Sequence, residues 1–296
     1  MAEVREGLTF CLSLPLDYPG GDNFSPGRLP PRIRPTDRRG KPFFLYDMNE
    51  ELPGACDVVN DDSAEITLQY STHWDALCHI GYRQPDGRTL FFNGVEGGRE
   101  ICAPRADGTS GVTALGIEKM AESCVQARAV MLDLHAHFSA DYHPVSFTEV
   151  EEIMRKDGVE VEAGDILLIH TGMAGEILRM GGTPDAGRLR SSFPAIDGAD
   201  RKLQDWITDS GIAAIAADNH AVEFMPARRR AHSDDPAFPL HEHCLFRLGV
   251  HLGELWLLTP LAEWLRANRR SKCLLTAPPL RLPGAAGSPV TPVATV

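Results

Sequence analysis

Short, uninterrupted apolar runs alternate with segments of helical periodicity along most of this chain, and this alternation restricts the possible folds most strongly. The apolar runs predict buried strands at residues 129–134, 166–170, 212–217, 254–258 and 272–275. The periodic segments predict helices at residues 115–126, 198–210, 241–248 and 260–268. Strands and helices in alternation are typical of a layered α/β or α+β fold.

A further helix carries sequence signals at both of its ends. Ser146 and Glu149 have the spacing of a capping box, and Val150 and Ile153 follow at helical spacing. Gly158 is placed to end the helix, since glycine readily adopts the left-handed conformation found after a last turn.

The two ends of the chain differ in composition from its centre. Residues 1–50 are rich in proline and glycine, which predicts an extended arm that wraps the body. Residues 277–296 consist largely of proline, glycine and small residues, and composition alone predicts a loose tail. No linker separates two units, so we expect one domain over residues 1–296.

Charge and composition exclude several classes of protein. The formal net charge is −12, which is the wrong sign for binding a nucleic-acid backbone. No apolar run approaches the roughly 20 residues that a membrane helix needs, and the first residues lack the pattern of a secretory signal. The seven cysteines include no Cys-x-x-Cys pair. We therefore expect a cytoplasmic protein with no nucleic-acid or membrane partner.

Common catalytic motifs are missing from the sequence. It contains no Gly-x-Gly-x-x-Gly or Gly-x-x-x-x-Gly-Lys loop for phosphates, no Gly-x-Ser-x-Gly elbow and no His-Glu-x-x-His zinc motif.

The segment from Gln69 to His79 groups several side chains that can bind a metal ion or transfer a proton. His73 and Asp75 are two residues apart, so on a strand their side chains share one face and can reach one cation. Imidazole and carboxylate ligands together suit Zn²⁺ or Mn²⁺. Gln69 could add a weak amide ligand, and His79 could carry protons. The alternative is a hydrogen bond between His73 and Asp75 at a strand end, with His79 packed in the core.

These residues resemble the signature of the cyclase-like metal-dependent hydrolases, a family that includes kynurenine formamidase and isatin hydrolase. Its pattern, His-x-Gly-Thr-His-x-Asp-x-Pro-x-His, is similar to residues 69–79 of this chain. Further resemblance extends over residues 161–172, 240–256 and 279–292. The sequence departs from the pattern at three positions, where Gln69 replaces the first histidine, Ser71 the glycine and Leu77 the proline.

The resemblance implies roles for individual residues. It implies one divalent ion, Mn²⁺ or Zn²⁺, with a second ion less favoured, and it makes His79 the general acid/base. The implied ligands are His73, Asp75, His241, Glu254 and Gln69. His243 is a rival to His241. Asp218 is either a support for a ligand or the cap of a turn.

The resemblance also implies a fold, an assembly and a reaction. The fold is a swivelling β/β/α layered arrangement with an ordered tail at residues 277–296, assembled as a homodimer or a higher homo-oligomer. The reaction is hydrolysis of a small amide or lactam, or of an ester or lactone, by water activated on the metal. Side chains near the motif either line an apolar substrate pocket or pack in the core, namely Trp74, Tyr82 and Phe91. The alternatives are a metal-dependent cyclase or dehydratase and a non-catalytic ligand-binding protein.

Other histidines are less promising as ligands. His135 and His137 alternate but have no evident carboxylate partner for a metal, so hydrogen bonding at a strand edge is the favoured interpretation. His170 and His251 are expected to be structural.

Overall fold

A mixed sheet of nine strands forms the centre of the protein in a computed structural model that describes residues 2–109, 111–227 and 235–296. We number these strands in chain order: β1 (Thr9–Cys11), β2 (His73–Asp75), β3 (Gln126–Asp133), β4 (Ile166–His170), β5 (Ala214–Ala217), β6 (His251–Glu254), β7 (Lys272–Thr276), β8 (Gly287–Pro289) and β9 (Val293–Thr295). Their order across the sheet is β1-β9-β7-β3-β4-β5-β6-β2-β8.

Four neighbouring strands, β3 to β6, run parallel, and the strands on either side of them are antiparallel. The apolar run of β4 alternates between two clusters: Ile166 and Leu168 pack on one side of the sheet, and Leu167 and Ile169 on the other. A strand buried on both faces needs apolar residues at every position, which explains its uninterrupted run.

In the described ranges the α-helices are α1 (Glu118–Glu122), α2 (Leu134–Phe138), α3 (Phe147–Asp157), α4 (Met173–Arg179), α5 (Ala186–Arg190), α6 (Arg201–Ser210), α7 (Pro239–His241) and α8 (Thr259–Ala267). The cluster that contains Ile166 and Leu168 also includes side chains of α1 and α8. The cluster that contains Leu167 and Ile169, on the other side of the sheet, includes side chains of α3 and α6. The protein therefore has the mixed α/β architecture that the alternation predicts, with a curled sheet.

The helix with signals at both ends forms as predicted. Ser146 and Glu149 make both hydrogen bonds of the capping box, and Gly158 adopts the left-handed conformation, with φ 65°, at the end of α3. Strand β4 has the predicted bounds, residues 166–170.

Three element predictions are wrong in their bounds. The strand predicted at residues 254–258 is instead His251–Glu254, because Leu255 turns out of the sheet with φ 55°. The helix predicted at 115–126 keeps only Glu118–Glu122, since Leu115 and Cys124 have φ values of 62° and 61°. The helix predicted at 241–248 is α7 followed by a π-helical turn over Glu242–Leu248.

The tail at residues 277–296 is part of the sheet, so the loose tail expected from composition is wrong. Strand β8 pairs with β2, and β9 pairs with both β7 and β1. The tail therefore supports the strand that carries His73 and Asp75.

The arm at the start of the chain continues into small, exposed ribbons. These pair Arg32–Pro35 with Asp62–Glu65, Asp37–Arg38 with Lys41–Pro42, and Tyr46–Asp47 with Val58–Val59. Further short pairs join Tyr82–Arg83 to Thr89–Leu90, Ile101–Cys102 to Gly111–Val112, and Pro144–Val145 to Ala195–Ile196. Single 3₁₀ turns lie at Met48–Glu50 and Phe92–Gly94. Over the described ranges, no helix is both long and apolar enough to cross a membrane.

Candidate metal centre

Strand β2 presents His73 and Asp75 on one face and Trp74 on the other. The Nε2 atom of His73 lies 3.5 Å from Oδ1 of Asp75, and both side chains are buried. Trp74 is fully buried in the core, where its ring packs against Trp256 and its Nε1 donates to the carbonyl of Ala277 at 2.9 Å. Strand alternation turns Trp74 away from His73 and Asp75, a position that favours core packing of this ring over contact with substrate.

The neighbouring strand β6 adds Glu254 to this pair. Glu254 and His73 are direct partners in the β2–β6 register, and Nε2 of His73 lies 3.7 Å from Oε2 of Glu254. One donor atom each from His73, Asp75 and Glu254 lies within 4.8 Å of the others, which is compact enough to hold a metal ion.

Helix α7 brings His241 to the same cluster. Its Nε2 lies 3.2 Å from Oε1 of Glu254 and 3.9 Å from Oδ2 of Asp75. The centre thus gathers two imidazoles and two carboxylates from three distant parts of the chain. His243 points elsewhere, since its Nε2 lies 2.8 Å from the carbonyl of Gln204.

The chemistry of this donor set fits a divalent cation. Nε2 of His73 and both carboxylate oxygens of Asp75 are buried and have no hydrogen-bond partner in the described part of the chain. Buried polar atoms without partners are costly and uncommon. The Nδ1 atom of His73 lies 2.7 Å from the carbonyl of Ser71, a contact that fixes the ring and leaves Nε2 for a metal. Imidazole nitrogen and carboxylate oxygen are the donors that Zn²⁺ and Mn²⁺ accept.

Electrostatics in the metal-free protein point the same way. Burial lowers the pKa of His241, but its contacts with Glu223 and Glu254 outweigh burial and raise this pKa to about 10. Burial opposes ionisation of Asp75 and Glu254, yet the neighbouring imidazoles hold both carboxyl pKa values below normal. The buried carboxylates thus favour protonated imidazoles in the absence of a cation, and a divalent cation held by these residues would supply that positive charge instead.

His79 lies at one side of the cluster. Its Nε2 is 3.7 Å from Oδ1 of Asp75, and 24% of its side chain is exposed. It is therefore close to the candidate ligands and still open to solvent.

Gln69 lies beside β8. Its backbone carbonyl accepts a hydrogen bond from Arg28 at 2.8 Å, and a Cβ atom on Gly287 would come within 2.6 Å of its Nε2. Gly287 is the register partner of Asp75, so the amide lies over the strand next to the ligands. Ligation by Gln69 stays a prediction.

The remaining sequence candidates have other partners. Asp218 accepts hydrogen bonds from the backbone N–H groups of Thr171 and Gly172 at 2.6 and 2.8 Å, so it caps a turn. His137 pairs with Asp157, and His135 bonds to the carbonyl of Ser139. Tyr82 stacks on Phe246, and Phe91 packs over Gly81; their contact with substrate stays a prediction.

Sequence reasoning missed Glu223 and His220. Glu223 is 1% exposed, and its Oε1 lies 2.8 Å from Nδ1 of His241. His220 is close enough to the centre for the charges of Glu254, His73 and His241 to act on it, and burial lowers its pKa. Both residues lie just beyond the carboxyl end of β5, a position typical of binding sites in open α/β sheets. Their position directly after a predicted strand was the sequence signal that could have identified them.

A cavity of about 280 Å³ reaches this part of the protein. Its polar lining residues are Asn219, His220 and Glu223, which follow β5, together with Arg190 and Ser192. The rest is mainly apolar, with contributions from Phe24, Tyr142, Phe193, Phe224, Met225 and Phe238.

Solved structures share this fold over the whole chain. A protein described as a novel cyclase is 29% identical, with a TM-score of 0.77, and the match covers 100% of this chain and 90% of the other. Isatin hydrolase A from Ralstonia solanacearum is 15% identical, with a TM-score of 0.58 and coverage of 97% and 91%. A potential metal-dependent hydrolase with cyclase activity is 13% identical, with a TM-score of 0.53 and coverage of 97% and 96%.

None of the curated proteins compared with the chain matches it. The family model described as Putative cyclase matches residues 12–224, which include β2, its two candidate ligands and Glu223. On this match, together with the shared fold, the chain belongs to the cyclase family.

Proposed function

We propose that the protein is a metal-dependent hydrolase that holds one divalent ion, Mn²⁺ or Zn²⁺, between His73, Asp75, Glu254 and His241. The observation that carries this proposal is the convergence of buried donor atoms from His73, Asp75 and Glu254, of which Nε2 of His73 and both carboxylate oxygens of Asp75 have no hydrogen-bond partner within the described ranges. The names of two similar structures, an isatin hydrolase and a potential metal-dependent hydrolase, support the same reaction class.

A divalent cation bound here would polarise a carbonyl group and lower the pKa of water from ~15.7 toward ~7. His79 would move the proton, because its Nε2 lies beside Asp75 and its side chain remains partly exposed. Burial of the four ligands excludes bulk water from the centre and so strengthens its electrostatic interactions.

The substrate class we propose is a small amide or lactam, or an ester or lactone, with an apolar or aromatic body. The cavity supports this choice: at about 280 Å³ it is close to the lower end of ligand pockets, and its walls are mainly apolar. His220 and Asn219, which line it, are the groups we expect to meet the substrate's polar atoms.

The test begins with elemental analysis of protein purified without chelator, beside the variant His73→Ala. We expect about one Mn or Zn per chain in the wild type and loss of the ion from the variant. The loaded protein is then screened against lactams, amides, lactones and esters, with the product identified by mass. Hydrolysis adds one water to the substrate, whereas a dehydratase removes one and a cyclase forms a ring. Absence of bound metal, with none regained on adding either ion, would contradict the proposal.

We also propose that the protein assembles as a homo-oligomer through the exposed ribbons of the arm. Four large apolar side chains there are more than half exposed, those of Ile33, Leu45, Leu52 and Val58. Light scattering of the wild type and of Leu45→Glu tests this, and a monomeric wild type would contradict it.

A further inference from the structure

We infer that Glu223 is a positioning residue that fixes the orientation and the tautomer of His241, so that Nε2 of this imidazole faces the proposed cation. The inference rests on the metal centre of the proposed function and adds a residue that the sequence patterns did not predict.

The first support is the set of hydrogen bonds around the Glu223 carboxylate. Its Oε1 lies 2.8 Å from Nδ1 of His241 and accepts from the backbone N–H of His241 at 3.2 Å. Its Oε2 accepts from the backbone N–H of Leu240 at 3.0 Å. An ionised carboxylate accepts and does not donate, so the proton of the imidazole is directed to Nδ1. The lone pair of Nε2 is then free for a metal, on the side where Glu254 and Asp75 lie.

The second support is the backbone that delivers Glu223. Ala221 and Val222, which precede it, have φ values of 77° and 56°, a left-handed conformation that side-chain-bearing residues seldom adopt. Such residues are strained and persist only where the surroundings impose them. Here Nδ2 of Asn219 donates to the carbonyl of Val222 at 3.2 Å and holds the turn. The strain brings the Glu223 carboxylate under the first residues of α7.

The third support is the space reserved for this carboxylate. A Cβ atom on Gly198 would lie 2.2 Å from Oε2 of Glu223 and 2.8 Å from Cβ of Leu240. Contacts this short do not occur, so an alanine at this position displaces either the carboxylate or α7. Glycine is therefore required here for close approach and not for an unusual φ.

Glu223 does not lie where it could bind the proposed cation directly. Its oxygens already accept from three N–H groups, and the compact group of candidate donor atoms consists of His73, Asp75 and Glu254. Its effect on the cation would therefore act through His241.

The experiment compares Glu223→Gln with the control Glu242→Gln. Glu242 follows His241 in the chain and is also buried, but its carboxylate pairs with Arg247 at 2.7 Å and not with the imidazole. Zn²⁺ and Mn²⁺ dissociation constants are measured by competition with a chelator, after near-UV circular dichroism has shown that each variant is folded. We expect binding about 10–100-fold weaker in Glu223→Gln and wild-type binding in Glu242→Gln.

Two further measurements separate positioning from general support of the fold. The visible absorption spectrum of the Co²⁺-loaded protein reports the ligand field, and we expect it to shift in Glu223→Gln but not in Glu242→Gln. Gly198→Ala keeps the carboxylate but changes its position relative to α7, so it should weaken metal binding in the same direction.

Equal metal affinity and equal Co²⁺ spectra in the folded Glu223→Gln and Glu242→Gln proteins would overturn the inference while leaving the proposed function intact. Failure of the wild type to bind any of the three ions would overturn both. If Glu223→Gln does not fold, Gly198→Ala decides, and wild-type affinity in that variant would overturn the inference.

Discussion

His73 and Glu254 are direct partners across the antiparallel strands β2 and β6, with Nε2 of one 3.7 Å from Oε2 of the other. A single backbone ladder thus joins an early part of the chain to a late one at the candidate centre. Side chains alternate along a strand, so a slip of one residue would replace His73 and Asp75 by the indole of Trp74. The geometry of the centre therefore depends on strand register.

Different losses should follow from removing His73 and His79. We expect His73→Ala to lose the ion, since the imidazole is one of the buried donors, and activity should be lost with it. His79→Ala should keep the ion and lose turnover by ~10²–10⁴-fold, the usual contribution of a proton-transfer group. Metal content by elemental analysis and kcat on the best substrate are the measurements. Equal metal loss in both variants would contradict this division of roles.

A second prediction concerns Trp74, which the structure places in the core. Trp74→Phe removes the hydrogen bond to the Ala277 carbonyl and leaves a gap beside Trp256. We expect the free energy of unfolding to fall by about 1–3 kcal/mol. KM should stay at the wild-type value, because the ring does not face the centre. Urea unfolding and steady-state kinetics measure the two effects, and a raised KM with unchanged stability would restore a role in substrate binding.

A third prediction concerns the cavity. Ser192 lines it, whereas the adjacent Ser191 is exposed and does not. Ser192→Trp should fill part of the space and raise KM at least several-fold for an aromatic substrate, with metal affinity unchanged. Ser191→Trp provides the matched control and should behave as the wild type. Identical KM values for the two variants would show that substrate does not use this cavity.

A fourth prediction concerns His170, which lies outside the centre. Its Nδ1 is 2.7 Å from Oδ1 of Asp133, and its Nε2 is 3.1 Å from the Thr259 hydroxyl. Burial lowers its pKa, but the hydrogen bond with Asp133 and the charge of Asp218 outweigh burial, so the pKa is raised above 6.5. Its stabilising contribution is therefore complete below pH 6.5 and is lost as the pH rises through the folded-state pKa.

Replacement of this histidine should reveal that dependence. The difference in the free energy of unfolding between the wild type and His170→Gln should be larger near pH 6 than near pH 9. His243 gives the opposite control, because burial lowers its pKa and its contribution is lost as the pH falls. Denaturant unfolding of His170→Gln and His243→Gln at both pH values measures the two effects. Parallel pH profiles for the two variants would contradict the opposite pKa directions given to these histidines.

The sequence was most informative where local chemistry determined local structure. The capping box at Ser146 and the apolar run of β4 needed nothing beyond their own residues and neighbours, and both were predicted. The pairing of His73 with Asp75 on one face followed from the period of a strand. The resemblance, and not the spacing, supplied His241 and Glu254.

Distant contacts and unusual backbone conformations were not predictable in the same way. Glu223 reaches His241 because Ala221 and Val222 adopt left-handed φ values, which nothing in two ordinary apolar residues signals. Leu255 likewise leaves the sheet at once after Glu254, so a run that looks like a continuing strand ends early. The tail joins the sheet because β8 pairs with β2, and β9 pairs with β7 and β1. Amino-acid composition carries no information about these pairings.

The place of β2 between β6 and β8 has a consequence for synthesis. The ribosome makes His73 and Asp75 long before it makes Glu254 or the β8 residues that pair with them. A nascent chain therefore carries two of the candidate ligands exposed, with neither flanking strand, through most of its translation. Capture of the proposed ion would accordingly follow synthesis of residues 287–289, which form the strand that pairs with β2.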